Sequence, residues 1–348
     1  MESTGCRKHC RTSTSPISLR RGRAALALRD PHHFAYEMRY PTALILLAFA
    51  CPVFASQGAG NVQSVTFKTS VTPPVYRIPA SLKKNEKVFR AGLEKLPEGM
   101  LVVGALLVGS GELGLSAKQS ASLTPLMADT YRKIGADPAF ADVPSALPYC
   151  FSTTRPKSGH YFLYRPKEIP KEPTCIVFLH GYGGNFQFYT WVLKEEFPEA
   201  VILAPSWSVS WYRGSATYLR EMLADAEDRT GVRLARPWLM AISAGGRGGF
   251  LIYNRLPETF SGYVCLASAP ETTTARRLRS DLRILMLNGT EDAMFTINSA
   301  RRQAALAKRR VPTLRMQEID GNHFFILSKR EQTFEAIRDF MNRGNDHE

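Results

Sequence analysis

Short apolar runs alternate with segments of helical spacing along the second part of the chain, from about residue 149 onward. A continuous apolar run of five to seven residues is typical of a strand that is buried on both faces. The runs are HYFLYRP (160–166), CIVFLH (175–180), AVILAP (200–205), WLMAI (238–242), GYVCLAS (262–268), RILMLNG (283–289) and TLRMQEI (313–319). The predicted helices are ATYLREMLADAED (216–228), GGFLIYNRL (248–256), NSARRQAALAKRR (298–310) and REQTFEAIRDFMN (330–342).

This alternation predicts an α/β fold, with a mostly parallel sheet that is covered by helices on both faces. In such sheets a functional site lies at the carboxyl ends of the strands. Residues 149–348 are therefore predicted to form one α/β domain that carries the functional site.

The pattern is mixed before residue 149. VQSVTFKTSV is compatible with a strand, while KVFRAGLEKL and LTPLMADTYRKIG have helical spacing. MLVVGALLVG (100–109) has ten residues, too few to span a membrane, and is interpreted as a buried strand. No chemical motif stands out here, so residues 56–148 are treated as an N-terminal extension of uncertain structure.

The N-terminus has the pattern of a secretory signal peptide. One Arg follows Met38, an apolar stretch runs from Ala43 to Ala50, and small residues precede a cleavage site after Ala55. We therefore expect residues 1–55 to be a leader, with Met38 as the true start and an exported mature protein, periplasmic or extracellular. Cleavage before Cys51, which would leave a lipid-anchored cysteine, is a weaker alternative, and an uncleaved anchor is a further one.

The net charge of +14 raises the question of a polyanionic partner. Residues 1–55 carry eight Lys/Arg and three Asp/Glu, which leaves +9 for the remainder, much of it in ARRLRS (275–280) and RRQAALAKRR (301–310). Solvated helix faces account for such clusters, and no RNP, zinc-finger or helix-turn-helix pattern is present. No nucleic-acid partner is expected, a membrane is expected only through the leader, and the oligomeric state is left open.

Three cysteines remain after the leader, Cys150, Cys175 and Cys265. An odd number does not form a disulfide framework, and Cys265 falls inside a predicted strand. A bridge between Cys150 and Cys175 is permitted by the sequence.

Ser243 follows the strand WLMAI without a spacer and has small neighbours, Ala241, Ala244 and Gly245. A nucleophile on a tight strand-to-helix turn needs small residues two before and two after it, since larger side chains would collide there. The next helix would offer its N-terminus and the Ala244 N–H to a developing oxyanion. The alternative is a serine that simply caps the helix. No Lys-Ser/Thr follows the glycines, so a phosphate loop is excluded.

The stretch LHGYGGN (179–185) supplies a glycine-rich turn after another buried strand. The N–H of either Tyr182 or Gly183 would give the second oxyanion donor. His180 is expected to shape this loop, because no second His or Cys has a spacing that suits metal ligation.

A general base and its acid are sought at the later strand ends. His323 follows the last strand and precedes the last helix, where a loop can bring an imidazole over the nucleophile. Asp292 follows RILMLNG and would hold the imidazole tautomer. Glu291 is the neighbouring alternative, and Asp320 is a further one on the histidine's own loop.

Together these motifs resemble those of the α/β-hydrolases, whose triad order is that of Ser243, Asp292 and His323. HGYGG, the serine turn, NGTED and GNH carry the resemblance, over residues 149–341. The strands HYFLYRP and CIVFLH, which lead into HGYGG, are similar to those of secreted esterases, namely polyhydroxyalkanoate depolymerase-like and feruloyl-esterase-like hydrolases. The resemblance implies cleavage of carboxylic esters through an acyl-enzyme on Ser243, without metal or organic cofactor. Ala241 replaces the first glycine of the usual motif.

Only about fourteen residues separate the strands GYVCLAS and RILMLNG, where a helical cap usually enters, so little or no cap is expected. The loop PSWSVSWYRG (205–214) carries Trp207, Trp211 and Tyr212, which either line a substrate pocket or pack on neighbouring helices. An open, aromatic-rimmed site suggests small-molecule or polymer-borne esters. A serine peptidase, an acyltransferase and a catalytically silent binding protein on the same fold are the alternatives.

Overall fold

The computed structural model describes residues 60–108, 113–211 and 215–343. The leader and the predictions made for it, including Met38, Cys51 and the cleavage site, lie outside these residues. The described strands are β1 Asn61–Phe67, β2 Gly159–Arg165, β3 Cys175–Leu179, β4 Val201–Ser206, β5 Trp238–Ile242, β6 Gly262–Leu266, β7 Ile284–Gly289 and β8 Arg315–Ile319. The described helices are α1 Ala80–Lys83, α2 Glu86–Lys95, α3 Glu98–Val108, α4 Ala117–Ala136, α5 Leu147–Cys150, α6 Gln187–Glu196, α7 Ser215–Thr230, α8 Ala244–Arg255, α9 Thr272–Ala275, α10 Ile297–Lys308, α11 Phe325–Ser328 and α12 Arg330–Asn342.

The eight strands form one sheet in the order β1-β2-β4-β3-β5-β6-β7-β8. β2 runs antiparallel to β1 and β4, and all other neighbouring pairs are parallel. The predicted mostly parallel sheet is confirmed, and its topology is that of the α/β-hydrolase fold. Because β3 and β5 to β8 are parallel, their carboxyl ends meet at one edge of the sheet.

Alternate residues of each strand face opposite cores, as the pleat requires. On β3, Val177 belongs to the core covered by α7, α8 and α10, whereas Phe178 belongs to the core covered by α4, α6 and α12. These central strands are buried on both faces, which explains their uninterrupted apolar sequence.

Residues 60–148 belong to the same sheet and the same cores. β1 is the edge strand and pairs along its whole length with β2, from Asn61 opposite Arg165 to Phe67 opposite Gly159. Leu106, Leu123 and Met127, from α3 and α4, pack into the core below α6. The segment is thus integrated with the remainder of the fold.

The predicted buried strand at 100–109 is wrong, since residues 98–108 form α3. An apolar run of this length fits a helix or a strand equally well, and its Met, Leu and Ala residues favour a helix. α3 packs on α4: a Cβ on Gly99 would lie 2.8 Å from the Tyr131 ring, and the Ser120 hydroxyl donates to the Leu106 carbonyl at 2.7 Å.

The Cys150–Cys175 bridge is not formed. Both residues, and Cys265, are buried free thiols. Cys150 Sγ instead accepts a hydrogen bond from the Asn185 N–H at 3.3 Å, and burial raises the pKa of its thiol to about 12.

Candidate active site

Ser243 is the single residue between β5 and α8, and its backbone is strained, with φ +56° and ψ −120°. A positive φ in a residue other than glycine costs about 1–3 kcal/mol and is concentrated at functional sites. The sharp turn brings α8 close to the β3 loop: a Cβ on Gly245 would lie 2.3 Å from the His180 carbonyl oxygen. The Ser243 side chain makes no helix-capping hydrogen bond, so the capping alternative does not hold.

Asp292 and His323 form a buried pair at the same edge of the sheet. Asp292 Oδ2 lies 2.7 Å from His323 Nδ1, and Asp292 Oδ1 accepts the N–H groups of Met294 and Phe295, each at 2.8 Å. The Asp292 side chain is fully buried and that of His323 is 8% exposed. Since an ionised carboxylate only accepts hydrogen bonds, the pair places the imidazole proton on Nδ1 and leaves Nε2 as the basic nitrogen.

The alternative acids point elsewhere. Glu291 Oε2 accepts a hydrogen bond from Gln119 Nε2 at 3.2 Å, at the start of α4. The Asp320 side chain is 83% exposed and lies 4.0 Å from Lys329 Nζ.

Aromatic side chains connect the imidazole to the helix that Ser243 opens. Phe295 stacks on His323 with 5.8 Å between ring centroids, and Phe324 meets it edge-on at 5.6 Å. Arg247, on α8, lies over the Phe295 ring with its Cζ 4.8 Å from the centroid. The structure therefore brings together the loops that carry Ser243, Asp292 and His323. Among the hydrogen bonds of the described residues, none joins the Ser243 hydroxyl to His323, a contact that often tightens only when substrate binds.

The loop after β3 approaches Ser243 from the other side. A Cβ on Gly181 would lie 3.2 Å from Ser243 Cβ. The Gly183 N–H donates to the Val209 carbonyl at 3.1 Å, which corrects its prediction as an oxyanion donor, because this N–H already has an acceptor. Tyr182 and Ala244, the first residue of α8, are the other residues predicted for this role.

His180 shapes the loop, as its neighbours show. Its Nδ1 donates to the Gly181 carbonyl at 2.8 Å, and its Nε2 accepts the Trp207 N–H at 3.2 Å. Burial lowers its pKa to about 4, so the ring stays neutral with its proton on Nδ1.

Two of the three predicted pocket aromatics are buried in the core. Trp207 and Trp211 are 2% and 4% exposed, and Trp211 Nε1 donates to the His180 carbonyl at 3.0 Å. Side chains so enclosed offer almost no surface to a ligand, so the pocket prediction is corrected in favour of the packing alternative. Tyr212 lies outside the described residues.

The sequence interpretation missed a buried carboxyl that holds the start of α6, directly after the oxyanion loop. Glu98, the first residue of α3, accepts the Gln187 N–H at 2.6 Å, the Tyr131 hydroxyl at 2.9 Å and the Ser145 hydroxyl at 3.2 Å. Burial raises its pKa to about 7. A single Glu ahead of an apolar run has no local signal that separates it from a solvated charge.

A second contact that the sequence interpretation missed holds the loop 180–185. Besides the bond from its N–H to Cys150, Asn185 donates through Nδ2 to the Ala204 carbonyl on β4 at 2.5 Å. A Cβ on Gly184 would lie 3.0 Å from Cys150 Cβ. Cys150, at the end of α5, therefore holds Asn185, and Glu98, from the extension, holds the start of α6.

Within 60–108, 113–211 and 215–343, no three His, Cys, Asp or Glu side chains are grouped so that they could hold a metal ion. None of the helices in those ranges is long and apolar enough to cross a membrane.

Comparison with known proteins gives structural matches only. No family model matches the chain, and no curated protein does. Among solved structures, an esterase from Pyrococcus furiosus has 12% identity and a TM-score of 0.44, over 53% of this chain and 87% of that one. A ferulic acid esterase has 14% identity and a TM-score of 0.44, over 53% and 93%. The naproxen esterase (carboxylesterase NP) of Bacillus subtilis has 13% identity and a TM-score of 0.42, over 53% and 88%.

Proposed function

We propose that this chain is a serine hydrolase that cleaves carboxylic esters through an acyl-enzyme on Ser243. The observation that carries the proposal is the strained Ser243 turn at the same sheet edge as the buried Asp292–His323 pair. A serine at positive φ that does not cap its helix, beside a histidine whose tautomer is fixed, is the arrangement that nucleophilic catalysis needs.

The reaction proceeds in two halves. Ser243 Oγ attacks the ester carbonyl carbon while His323 Nε2 takes the hydroxyl proton, and the oxyanion accepts the N–H groups of Ala244 and Tyr182. The carbon–oxygen bond to the alcohol then breaks, and the imidazolium returns the proton to the departing oxygen. Water, deprotonated by the same Nε2, then attacks the acyl carbon, the bond from that carbon to Ser243 Oγ breaks, and the imidazolium returns the proton to Oγ as the acid leaves. Asp292 stays ionised and stabilises the imidazolium in both halves.

The substrate proposed is a small-molecule or polymer-borne ester. Between β6 and β7 the structure has only the four-residue helix α9, so no helical cap enters at this point of the described chain. Access from solvent is therefore expected over the His323 and Ser243 loops.

Fluorophosphonate labelling with an intact-mass readout tests the nucleophile. Ser243 attacks the phosphorus and expels fluoride, so we expect one adduct on the wild type and none on Ser243→Ala. The matched control is Ser268→Ala. It removes a different serine hydroxyl, which is fully buried and lies just after the next strand, β6. A labelled Ser243→Ala protein, or a folded wild type without adduct, would contradict the proposal.

We also propose that the protein is exported and that its mature form begins at Ser56. The support is the residue pattern of 38–55 alone. The same intact mass reports the N-terminus when the full chain is expressed in an exporting host. A mass that retains residues 38–55, or a lipid on Cys51, would contradict cleavage after Ala55.

A further inference from the structure

Arg247 is set apart by its place on α8. Residues 244–249 read AGGRGG, so it is the only side chain larger than a methyl group in this part of the helix. The glycines are required by close packing, since a Cβ on any of the four would lie within 2.6 Å of an atom of His180, Ser268, Trp211 or Tyr263. The exposed Arg247 is thus the one long side chain that the helix start presents to solvent.

Arg247 shares a helix face with Ser243. The two residues are four apart, and the Arg247 N–H donates to the Ser243 carbonyl at 3.3 Å. Side chains on a helix tilt toward its N-terminus, which here is the edge of the sheet that carries the site. The guanidinium accordingly lies over Phe295, the ring that stacks on His323.

Arg247 forms no ion pair with a described residue. Eight other arginines of the described chain do, whereas the remaining ones, like Arg247, do not; the eight are Arg90, Arg132, Arg229, Arg279, Arg301, Arg330, Arg338 and Arg343. The Arg247 guanidinium instead lies against the Phe295 ring. A cation at the end of the first turn is also disfavoured by the helix dipole, and α8 has no acidic residue in that turn to offset it.

The position matters for the chemistry of the proposed reaction. His323 becomes an imidazolium in each half of the turnover, and an unpaired guanidinium beside the same phenylalanine ring opposes that charge. A negative group on the substrate, next to Arg247, would offset this repulsion as it binds.

We propose that Arg247 binds a carboxylate of the substrate, so that the enzyme prefers esters that carry a free carboxylate near the scissile bond. This inference rests on the proposed esterase function and names its substrate class. The planar guanidinium accepts a carboxylate in a two-pronged geometry, which lysine does not reproduce.

Matched ester pairs test the preference. The acyl-side pair is the 4-nitrophenyl half-ester of glutaric acid against 4-nitrophenyl pentanoate. The alcohol-side pair is the butyrate ester of 4-hydroxybenzoic acid against that of its methyl ester. The readout is the ratio of kcat/KM for the anionic to the neutral member, and we expect the wild type to exceed one for one pair.

Variants of Arg247 then test whether its side chain causes the preference for the anionic ester. Arg247→Ala should lower it about tenfold, the scale of a charge-assisted contact at a partly exposed site. Arg247→Lys should keep part of it, Arg247→Glu should bring it below one, and 1 M salt should reduce it in the wild type. The control is Arg309→Ala, which removes an exposed arginine after α10, at the opposite edge of the sheet, and should leave the ratio unchanged.

The two proposals fail in different ways. A wild-type ratio at or below one for both pairs, or an Arg247→Ala ratio within twofold of the wild type, overturns the inference while hydrolysis and labelling of Ser243 persist. If no ester is hydrolysed and Ser243 is not labelled, the esterase function itself fails, and the inference fails with it.

Discussion

The two sides of the candidate site are held in different ways. On the acid–base side, Asp292 is fixed by its own loop, through backbone N–H groups only two and three residues away, and it holds His323 in turn. On the oxyanion side, the loop 180–185 is held by Cys150, the last residue of α5, and the start of α6 is held by Glu98 from the extension. Local bonds leave a motif in the sequence, whereas long-range bonds do not. The motifs that identify Asp292 and His323 in the sequence therefore do not reveal which residues hold the oxyanion side.

The largest effect is expected on the acid–base side, for Asp292→Asn. The N–H groups of Met294 and Phe295 need an acceptor, so the amide oxygen would face them and the NH2 group would face His323 Nδ1. Nδ1 would then become the acceptor and the proton would move to Nε2, the wrong tautomer for a base. We expect kcat to fall roughly 10³- to 10⁴-fold with KM little changed, as measured on a 4-nitrophenyl ester.

The matched control for that change is Asp320→Asn, on the histidine's own loop, where the carboxylate is largely exposed. Its kcat should match the wild type. A fall of less than tenfold for Asp292→Asn would show that the acid–base side does not depend on this local pair.

On the oxyanion side, the expected effect is a pH dependence of stability that comes from Glu98. Its pKa rises from 4.5 to about 7 on folding, so the folded state binds the proton more tightly than the unfolded state does. The free energy of unfolding should fall as pH rises from about 4.5 to about 7 and then level off. The loss amounts to about 3 kcal/mol, the equivalent of that shift.

Glu98→Gln removes this titration while it keeps an acceptor for the Gln187 N–H. Urea unfolding at several pH values should give the variant a flatter profile than the wild type across that window. Glu86→Gln is the control, because Glu86 is the first residue of α2 as Glu98 is of α3, but its side chain is 39% exposed. Parallel profiles for the wild type and Glu98→Gln would show that Glu98 does not cause the pH dependence of stability.

The smallest effect is expected for Gly184→Ala, which presses on the contact between the loop and Cys150. Gly184 has φ +121°, and an added Cβ would meet Cys150 Cβ at 3.0 Å. We expect thermal unfolding to show a loss of about 1–2 kcal/mol. Gly231→Ala also places alanine at positive φ, +70°, but nothing lies within 4 Å of its Cβ. Equal losses for the two variants would mean that the contact with Cys150 contributes nothing.

The sequence predicted the parts of the molecule whose signal is local. Strands β3, β5 and β6 are uninterrupted apolar runs because both their faces are buried, and the serine turn needs small residues at fixed offsets. α3 was assigned to the wrong element, since what makes it a helix is its packing on α4. The role of Glu98 has no local signal, because the groups that donate hydrogen bonds to its carboxylate lie 33 to 89 residues away in the chain. For Trp207 and Trp211 the sequence leaves a pocket and packing as alternatives, because it shows aromatic character but not the direction of a side chain.

The edge position of β1 bears on how far this fold can be divided. A chain shortened to begin at Tyr149 would lose the strand that covers the outer edge of β2, and the backbone groups of β2 that bond to β1 would be left unpaired and open to other chains. It would also lose the acceptor of the Gln187 N–H at the start of α6. Such a fragment would contain Ser243, Asp292 and His323 and yet be prone to self-association. The shortest fragment expected to fold as a monomer is therefore longer than the part of the chain that carries the recognisable motifs.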